Sequence, residues 1–257
     1  QQSMEQIDYQ VNIFAKFIPS YVICDGQSIQ KQLGKNNKTK SIVILNGIKT
    51  ETFIPNKESR LKIRHELKIP LDGYVIGHVA RMVAWKGQDL LLKAFLNYAI
   101  QNSNAYLLLV GTPLFDNDHY YNSIIKIIES NSLVHRVIMP GYRDDLEAMY
   151  SAMDLFLYPS LEKDTSPLAL LSAISSGLPV GLSKITSLTE IIDKCNDIDI
   201  FNPKKLNEIS GLMKKYENDE IRQKSGMLNR ESGIKYFDIS IHGQKFQRII
   251  KQNRIGI

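Results

Sequence analysis

The sequence has few of the features that mark secreted, metal-binding or membrane-spanning proteins. Only two of its 257 residues are cysteines. Cys24 and Cys195 lie too far apart for a metal cluster or a disulfide framework, which favours a reducing compartment. No apolar run approaches the ~20 residues that a membrane-spanning helix needs, and the first residues lack the layout of a signal peptide. These absences predict a cytoplasmic protein.

Dense charge is also absent. Lysine and arginine total 32 against 27 acidic residues, a formal net charge of +5 without any basic block. This diffuse excess suits anionic ligands or a membrane surface, and it predicts no nucleic-acid partner because nucleic-acid binding needs a concentrated basic patch. With 43% hydrophobic residues, the chain can bury a sizeable core.

Common cofactor and nucleophile motifs are missing as well. The sequence contains no G-x-G-x-x-G, no G-x-x-x-x-G-K-S/T and no G-x-S-x-G, and its five histidines do not have metal-ligand spacing. His78 is expected on a strand. We therefore expect neither a nicotinamide cofactor nor a metal ion.

The pattern between residues 74 and 201 predicts an α/β fold with a Rossmann-like, doubly wound parallel sheet. Short β-branched or leucine-rich runs alternate there with apolar stripes at helical spacing. The predicted strands are 74–80, 105–110, 136–139, 154–158, 179–183 and 198–201, and the predicted helices are 91–99, 119–130, 143–152, 167–176 and 204–216. Ligands of such sheets bind outside the carboxyl ends of the strands.

The two ends of the chain are organised differently. The first 45 residues predict a helix near 3–17, a strand at 20–24, a short helix ending near Leu33, and a strand at 41–45. Two strands cannot form a stable domain, so this segment is expected to be the end of an α/β domain that begins outside the chain. Residues 219–254 are predicted to be helical and basic, and without strands they must pack elsewhere.

The first candidate site follows the strand at 74–80. Arg81 and Lys86 lie five residues apart in a strand-to-helix loop, where a planar guanidinium and a compact ammonium can converge on one diphosphate. Gly87 would let the next helix begin close to that ligand. The alternative is two solvated surface cations, which would be favoured for this pattern elsewhere in a chain.

The second candidate follows the strand at 154–158. Ser166 can cap a helix and Pro167 suits its first turn, so the amides that follow would point towards the strand edge and meet a phosphate. Asp164 could accept hydrogen bonds from a sugar hydroxyl. An ordinary capped connection explains the stretch equally well.

The third candidate is Gly141-Tyr142-Arg143, after the strand at 136–139. Glycine permits close approach of a ligand, and Tyr142 or Arg143 could stack on a nucleobase. A plain turn before a helix capped by Asp144 or Asp145 fits equally well.

These stretches form part of an ordered series that resembles a known family. The series is NGIKTETFIP (46–55), IGHVARMVAWKGQDLLLKAF (76–95), LLLVGTP (107–113), VIMPGYRDDLEAMYSAMDLFLYPS (137–160), DTSPLALLSAISSGLPV (164–180) and LTEII (188–192). It closely resembles the retaining nucleotide-sugar glycosyltransferases of the family 4 type, which include bacterial lipopolysaccharide and capsule sugar transferases.

The resemblance implies a glycosyltransferase B fold of which only the end of the first domain is present. It implies that residues 1–45 end the acceptor domain, that 46–236 bind the donor, and that the helix in 237–257 packs back towards the first domain. The site residues carried over are Arg81 and Lys86 at the donor diphosphate, Asp164 at the transferred sugar, Thr165, Ser166, Pro167 and Leu168 at the phosphate and sugar, Gly141, Tyr142 and Arg143 near the nucleobase, and Ser172 at the ribose. The implied partners are a nucleoside diphosphate sugar and a glycan or lipid-linked acceptor, without a cofactor.

The match departs from the family at two points. The family's two acids, spaced E-x7-E, are Asp164 and Ser172 here, and the serine replaces two charge-assisted hydrogen bonds by one neutral one. The acceptor half is missing from these residues. Three alternatives stay open: a non-catalytic nucleotide-sugar-binding domain, one subunit of a split transferase, and an unrelated Rossmann-like enzyme such as an epimerase. Peripheral association with the inner face of the membrane also stays open.

Overall fold

The computed structural model describes residues 21–33, 41–113, 118–131, 135–162 and 164–254. The helix predicted near residues 3–17 and the polar loop 34–40 lie outside these residues.

Strands and helices alternate along the described chain. The strands are β1 (Val22–Cys24), β2 (Ser41–Val43), β3 (Tyr74–Val79), β4 (Ala105–Val110), β5 (Val137–Gly141), β6 (Leu155–Tyr158), β7 (Val180–Ser183) and β8 (Ile198–Phe201). The helices are α1 (Gln27–Gln32), α2 (Lys57–Glu66), α3 (Gln88–Ala99), α4 (Asp118–Ser130), α5 (Leu146–Ala152), α6 (Leu168–Ser175), α7 (Thr189–Ile192), α8 (Leu206–Lys215), α9 (Asp219–Phe237) and α10 (Ile239–Arg254). Short 3₁₀ turns lie at Ala84–Lys86 and Thr186–Leu188.

The six predicted strands form one parallel sheet, so the predicted fold class is confirmed. Their spatial order is β5-β4-β3-β6-β7-β8. The chain moves outward in one direction from β3 to β5 and in the other direction from β6 to β8, which places the topological switch point between β3 and β6. In doubly wound sheets this is where the carboxyl ends of the strands bind ligands.

Hydrophobic side chains cover both faces of this sheet. In β6, Phe156 and Tyr158 belong to the buried cluster that includes α5, α6 and the end of α9, whereas Leu155 and Leu157 belong to the cluster under α3, α4 and α8. Burial on both faces explains why the strands lack alternating polar residues. The sheet is therefore a rigid base for the loops at its carboxyl edge.

Helix α2 is the largest element that the sequence pattern missed. Its residues are mostly polar, and its Asn56 cap, which accepts a 2.9 Å hydrogen bond from the Ser59 amide, was the available signal. Arg64 of this helix is fully buried, and its guanidinium donates to the carbonyls of Ala152, Leu71 and Gly73. The buried face of α2 thus includes a charged residue, so its sequence lacks the continuous apolar stripe by which helices are recognised.

The basic C-terminal region forms two helices rather than one continuous stretch. They are separated at Asp238, which has an extended backbone and pairs with Ile48. The Ile48 amide donates a hydrogen bond to the Phe237 carbonyl, and the Ile48 carbonyl accepts one from the Ile239 amide. His242 of α10 hydrogen-bonds the Leu45 carbonyl through Nδ1 at 3.0 Å. None of the described helices combines the length and the hydropathy needed to span a membrane.

The first segment also has the predicted strands. β1 and β2 pair in parallel, with Val22 opposite Ser41 and Cys24 opposite Val43. Their carboxyl ends lead to Asp25 and Asn46, and both residues contact the loop that follows β6.

Candidate functional site

Two of the three predicted site segments meet at the switch point. Arg81 and Lys86 follow β3, the loop from Asp164 to Leu168 follows β6, and β3 pairs directly with β6. The third segment, Gly141 to Arg143, follows β5 and lies two strands away from β3.

Lys86 is held in place by its own short turn. It ends the 3₁₀ turn Ala84–Lys86, and Gly87 then takes a φ of 73° as α3 begins. A Cβ atom at Gly87 would lie 2.2 Å from the carbonyl oxygen of Pro159, so glycine is required both by the backbone angle and by the close approach of the two loops. Glycine at this position therefore lets the β3 and β6 loops pack together. The expectation that Gly87 brings the start of α3 close to a ligand stays a prediction.

The Lys86 ammonium lies in a buried polar cluster with Tyr158 and Asp164. Lys86 is 7% exposed. Its Nζ donates a 2.6 Å hydrogen bond to the Tyr158 hydroxyl, forms an ion pair with Asp164, and lies 4.2 Å from the centroid of the Trp85 ring. The Tyr158 hydroxyl in turn donates to the same carboxylate oxygen, Oδ2. An ammonium has three donors, so one remains for a ligand.

Burial controls the protonation equilibria of this cluster. It lowers the pKa of Lys86, and the hydrogen bond and charge of Asp164 oppose that shift. Burial also raises the pKa of Tyr158 well above its usual value, and the Asp164 carboxylate adds to this shift. The phenol therefore stays protonated and donates to the Asp164 carboxylate.

Arg81 contributes a second, more accessible positive charge. Its side chain is exposed, and no carboxylate of the described residues pairs with its guanidinium. Its charge adds to the lowering of the Lys86 pKa, which burial dominates, and opposes the rise of the Tyr158 pKa. Arg81, Lys86 and Asp164 together carry a formal net positive charge.

The loop before α6 differs from the prediction in its capping. The helix begins at Leu168, and Pro167 rather than Ser166 is its N-terminal cap residue. The Ser166 hydroxyl accepts a 2.9 Å hydrogen bond from the Asn46 amide and makes no cap hydrogen bond to α6. The amides of Leu168 and Ala169 meet no acceptor among the described residues, so the first turn of α6 offers two donors and the positive end of its dipole.

Ser172 is not brought to the open edge with the other candidates. It is 3% exposed, and its hydroxyl contacts the Tyr150 hydroxyl, which itself donates to the Ala169 carbonyl at 2.9 Å. A carboxylate at this position could reach outward along the helix, but the short serine side chain stays within the core.

The β5 loop offers an aromatic ring rather than a free cation. Arg143 makes a bidentate ion pair with Asp145, both distances 2.7 Å, and a second ion pair with Glu66. These partners raise the pKa of Arg143. Asp145 is the cap residue of α5, one of the two that were predicted, but its carboxylate binds Arg143 instead of a helix amide. Tyr142 is 77% exposed and is the residue of this loop that can stack on a base.

Three residues of the site were missed by the sequence interpretation. The sequence predicts Tyr158 only as an apolar strand residue, Asp25 as part of the first segment without a role, and Asn46 as the start of the series NGIKTETFIP without a role of its own. Tyr158 has one signal, its place at the end of a strand at the ligand-binding edge. Asn46 has the signal of that series, whereas Asp25 has none, because its contact with Thr165 spans more than 100 residues of sequence.

The assembled site can bind a doubly charged anion. It combines the Arg81 guanidinium, one remaining Lys86 donor and the first amides of α6, and these groups are suited to phosphate oxygens. Among the described residues no group of three His, Cys, Asp or Glu side chains could hold a metal ion.

Known proteins are similar to this chain in sequence, and solved structures are similar to it in fold. The chain is 29% identical over 177 residues to the O-antigen biosynthesis glycosyltransferase WclY of Escherichia coli, an alignment that covers 68% of this chain and 47% of WclY. It is 31% identical over 176 residues to the Escherichia coli UDP-Gal:alpha-D-GlcNAc-diphosphoundecaprenol alpha-1,3-galactosyltransferase, covering 63% of this chain and 43% of that enzyme. The chain thus spans about half the length of the curated relatives it matches.

Solved structures show the same fold at low sequence identity. The crystal structure of Anabaena Alr3699/HepE in complex with UDP and glucose superposes with a TM-score of 0.86 at 21% identity, over 95% of this chain and 66% of that one. The sucrose-phosphate synthase of Thermosynechococcus elongatus superposes with a TM-score of 0.83 at 19% identity, over 98% of this chain and 63% of that one.

A family match covers most of the sheet and both site loops. Residues 59–230 match the family described as glycosyl transferases group 1, which is more than half of the 257 residues. This chain belongs to the family of glycosyl transferases group 1.

Proposed function

We propose that this chain is the donor-binding half of a retaining glycosyltransferase. It would bind a nucleoside diphosphate sugar and pass the sugar to a glycan or lipid-linked acceptor in surface polysaccharide or lipopolysaccharide synthesis. Residues 46–236 would form the donor domain, and 1–45 and 237–257 would belong structurally to the acceptor half. The observation that carries the proposal is the buried Lys86–Tyr158–Asp164 cluster beside the unpaired Arg81 and the α6 amides.

The chemistry of this cluster is electrostatic. When the bond between sugar and diphosphate breaks, negative charge grows on the departing phosphate oxygen. Lys86 and the amides of α6 are held in position before the reaction, so they stabilise that charge without reorganisation, and the exposed Arg81 adds a second positive charge. Asp164, with one carboxylate oxygen left by its partners, would accept a hydrogen bond from the transferred sugar.

Retention of configuration rests on the family resemblance. Departure and attack on the same face of the sugar would give an oxocarbenium-like transition state beside the diphosphate.

Calorimetric titration tests donor binding. The chain is titrated with UDP, GDP and ADP, each alone and as a sugar conjugate, together with an Arg81→Ala, Lys86→Ala double variant. We expect saturable binding of one nucleotide that the double variant loses. Lys93→Ala is the matched control, because Lys93 is an exposed lysine on α3 whose ion pair within the described part of the chain is with its neighbour Asp89. Equal binding by the double variant would contradict the proposed site.

A second candidate function is a subunit of a split transferase. The buried Ser172, which stands where the family has its second acid, favours it. A split subunit would bind donor only when a second chain supplies the acceptor half. A folded chain that binds no nucleotide alone, but does so after addition of a partner from a neighbouring reading frame, would support this candidate.

The proposed location is the cytoplasm, at the inner face of the membrane. Helix α10 contains no acidic residue, and it exposes Phe246 and Ile250 beside Lys245 and Arg248. Such a helix can bind an anionic surface. Sedimentation with vesicles in which about a third of the lipid is anionic should capture the chain, and vesicles of neutral lipid alone should not. Equal recovery from both would contradict the location.

A further inference from the structure

The first segment of the chain is hydrogen-bonded to the loop that precedes α6. Asp25, directly after β1, accepts a 2.7 Å hydrogen bond through Oδ2 from the Thr165 hydroxyl. Asn46, shortly after β2, contacts Ser166 twice: its amide donates to Oγ at 2.9 Å and its side-chain Nδ2 donates to the Ser166 carbonyl at 2.7 Å. The carboxyl edge of the small sheet therefore faces the carboxyl edge of the large one.

Close packing reinforces these polar contacts. A Cβ atom on Gly26 would lie 3.0 Å from Cβ of Thr165, so the backbone after Asp25 touches the loop directly. The Gln27 amide donates a 2.5 Å hydrogen bond to Glu190, which belongs to α7. Thr165 and Ser166 are buried as a result.

Each residue of the loop before Pro167 is then fixed from a different side. The Asp164 amide donates to the Ser187 hydroxyl at 3.1 Å, and its carboxylate binds Lys86. Thr165 and Ser166 are fixed only by the first segment among the side-chain contacts described for them. The position of the free α6 amides therefore depends on Asp25 and Asn46, two residues that lie outside the family match of 59–230.

We propose that Asp25 and Asn46 are positioning residues that hold the α6 amides in register with Lys86 and Arg81. This proposal rests on the proposed donor site and extends it, because the first segment then controls donor affinity without touching the donor.

A double-mutant cycle on Asp25 and Thr165 tests the polar link. Asp25→Ala and Thr165→Val each remove one side of the hydrogen bond, while Asp25→Asn and Thr165→Ser keep an acceptor and a donor. We expect the first two variants to weaken nucleoside diphosphate binding about fivefold to tenfold. The double variant should be no weaker than either single variant, and Asp25→Asn should bind within about twofold of the native chain.

A matched control separates positioning from stability. Gln30 of α1 donates to the Ser41 carbonyl at 3.0 Å and so stabilises the same segment without touching the loop. Gln30→Ala should lower the melting temperature and leave nucleotide affinity unchanged. Equal affinity of Asp25→Ala, Thr165→Val and the native chain, or affinity losses that merely follow the melting temperatures of all variants, would overturn the proposal.

Amide hydrogen exchange provides a readout that needs no nucleotide. Asp25→Ala should speed exchange in residues 164–171 relative to Gln30→Ala, whereas exchange in β6 should not change. If the native chain binds no nucleotide, with or without a partner that supplies the acceptor half, the proposed donor site fails, and exchange alone decides the positioning role. Unchanged exchange in 164–171 would then overturn that role.

Discussion

The two ends of strand β6 carry buried ion pairs that differ in how completely their donors and acceptors are used. At its amino end, Asp154 binds Arg60 through Oδ1 and Arg64 and the Val75 amide through Oδ2, and Arg64 is saturated by backbone carbonyls. At its carboxyl end, Asp164 uses only Oδ2 among the described residues, and Lys86 keeps one donor. A closed cluster stabilises the fold, whereas an open one leaves hydrogen-bonding capacity for a ligand.

A cavity near the closed cluster does not change this assignment. A space of about 660 Å³ lies at the amino-terminal edge of the sheet, lined in part by Tyr74, Ala105 and Asp154. Parallel sheets bind their ligands at the opposite edge, where helix amino termini and strand ends converge. Volume alone is therefore a weaker guide here than unpaired donors.

The largest expected effect is the loss of stability when the closed cluster is broken. Arg64→Met should lower the free energy of unfolding by about 3 to 5 kcal/mol, because it leaves the Asp154 carboxylate buried with fewer partners. Urea unfolding measures this loss. Arg60→Met is the matched control, because the Arg60 side chain is 30% exposed and should cost far less. Equal losses in the two variants would show that burial of the cation does not set the stability.

The next effect comes from His78, which lies on β3 between the two clusters. It is buried on its strand as predicted, its Nδ1 donates to the Leu157 carbonyl at 2.9 Å, and burial lowers its pKa to about 4. The unfolded chain takes up a proton below pH 6.5 while the native chain does not. Stability should therefore fall as the pH drops from 6.5 towards 4, by about 3 kcal/mol when complete.

His78→Asn isolates this contribution, because asparagine keeps a donor for Leu157 but does not titrate. The variant should lose less stability than the native chain over that pH range, as measured by urea unfolding at each pH. The pKa of Asp238 is lowered to about 2, so its contribution to the free energy of unfolding is lost as the pH falls below 3.8. Asp238 is present in both chains and does not affect their comparison. Parallel pH profiles for the two chains would contradict the buried neutral imidazole.

At the open cluster the expected effect is on binding. Arg81→Ala and Lys86→Ala should each weaken nucleoside diphosphate binding about tenfold or more, since charge-assisted hydrogen bonds contribute about 1.5 to 3 kcal/mol. Added salt should reduce the Arg81 contribution more, because this side chain is exposed and Lys86 is buried. Titration calorimetry at low and high salt checks both statements, and an identical salt response of the two variants would contradict the difference in burial.

The smallest expected effect is that of Ser172. Ser172→Ala removes one neutral hydroxyl contact with Tyr150 and should cost about 1 kcal/mol of stability. Nucleotide affinity should stay within about twofold. Binding weakened tenfold or more would mean that Ser172 contacts the ribose despite its burial.

The sheet could be predicted from the sequence because the apolar pattern of a buried strand is set by a few consecutive residues. The strand runs containing Val75 to Val79 and Leu155 to Tyr158 lie in the core on both faces, so their apolar composition alone identified them. The strand-end positions of Arg81, Lys86 and Asp164 followed from that, because parallel strands place their carboxyl ends together.

Side-chain partners could not be predicted in the same way. Arg143 forms an ion pair with Glu66 of α2, a helix whose polar sequence gave no apolar stripe. The Ser166 hydroxyl accepts a hydrogen bond from the Asn46 amide instead of from an amide of α6. The sequence indicates Tyr158 only as an apolar strand residue, because its hydroxyl contacts Lys86 and Asp164 only when the β3 and β6 loops have packed together. These pairings depend on tertiary contacts between distant segments.

A paired measurement on Lys86→Met and Arg64→Met separates the roles of the two clusters. Both variants are measured for the free energy of unfolding by urea and for nucleoside diphosphate binding by calorimetry at a temperature where both are folded. We expect Lys86→Met to lose binding while losing less than about half the stability that Arg64→Met loses, and Arg64→Met to bind like the native chain. Native-like binding by Lys86→Met together with a stability loss equal to that of Arg64→Met would contradict the assignment of the open cluster to the donor.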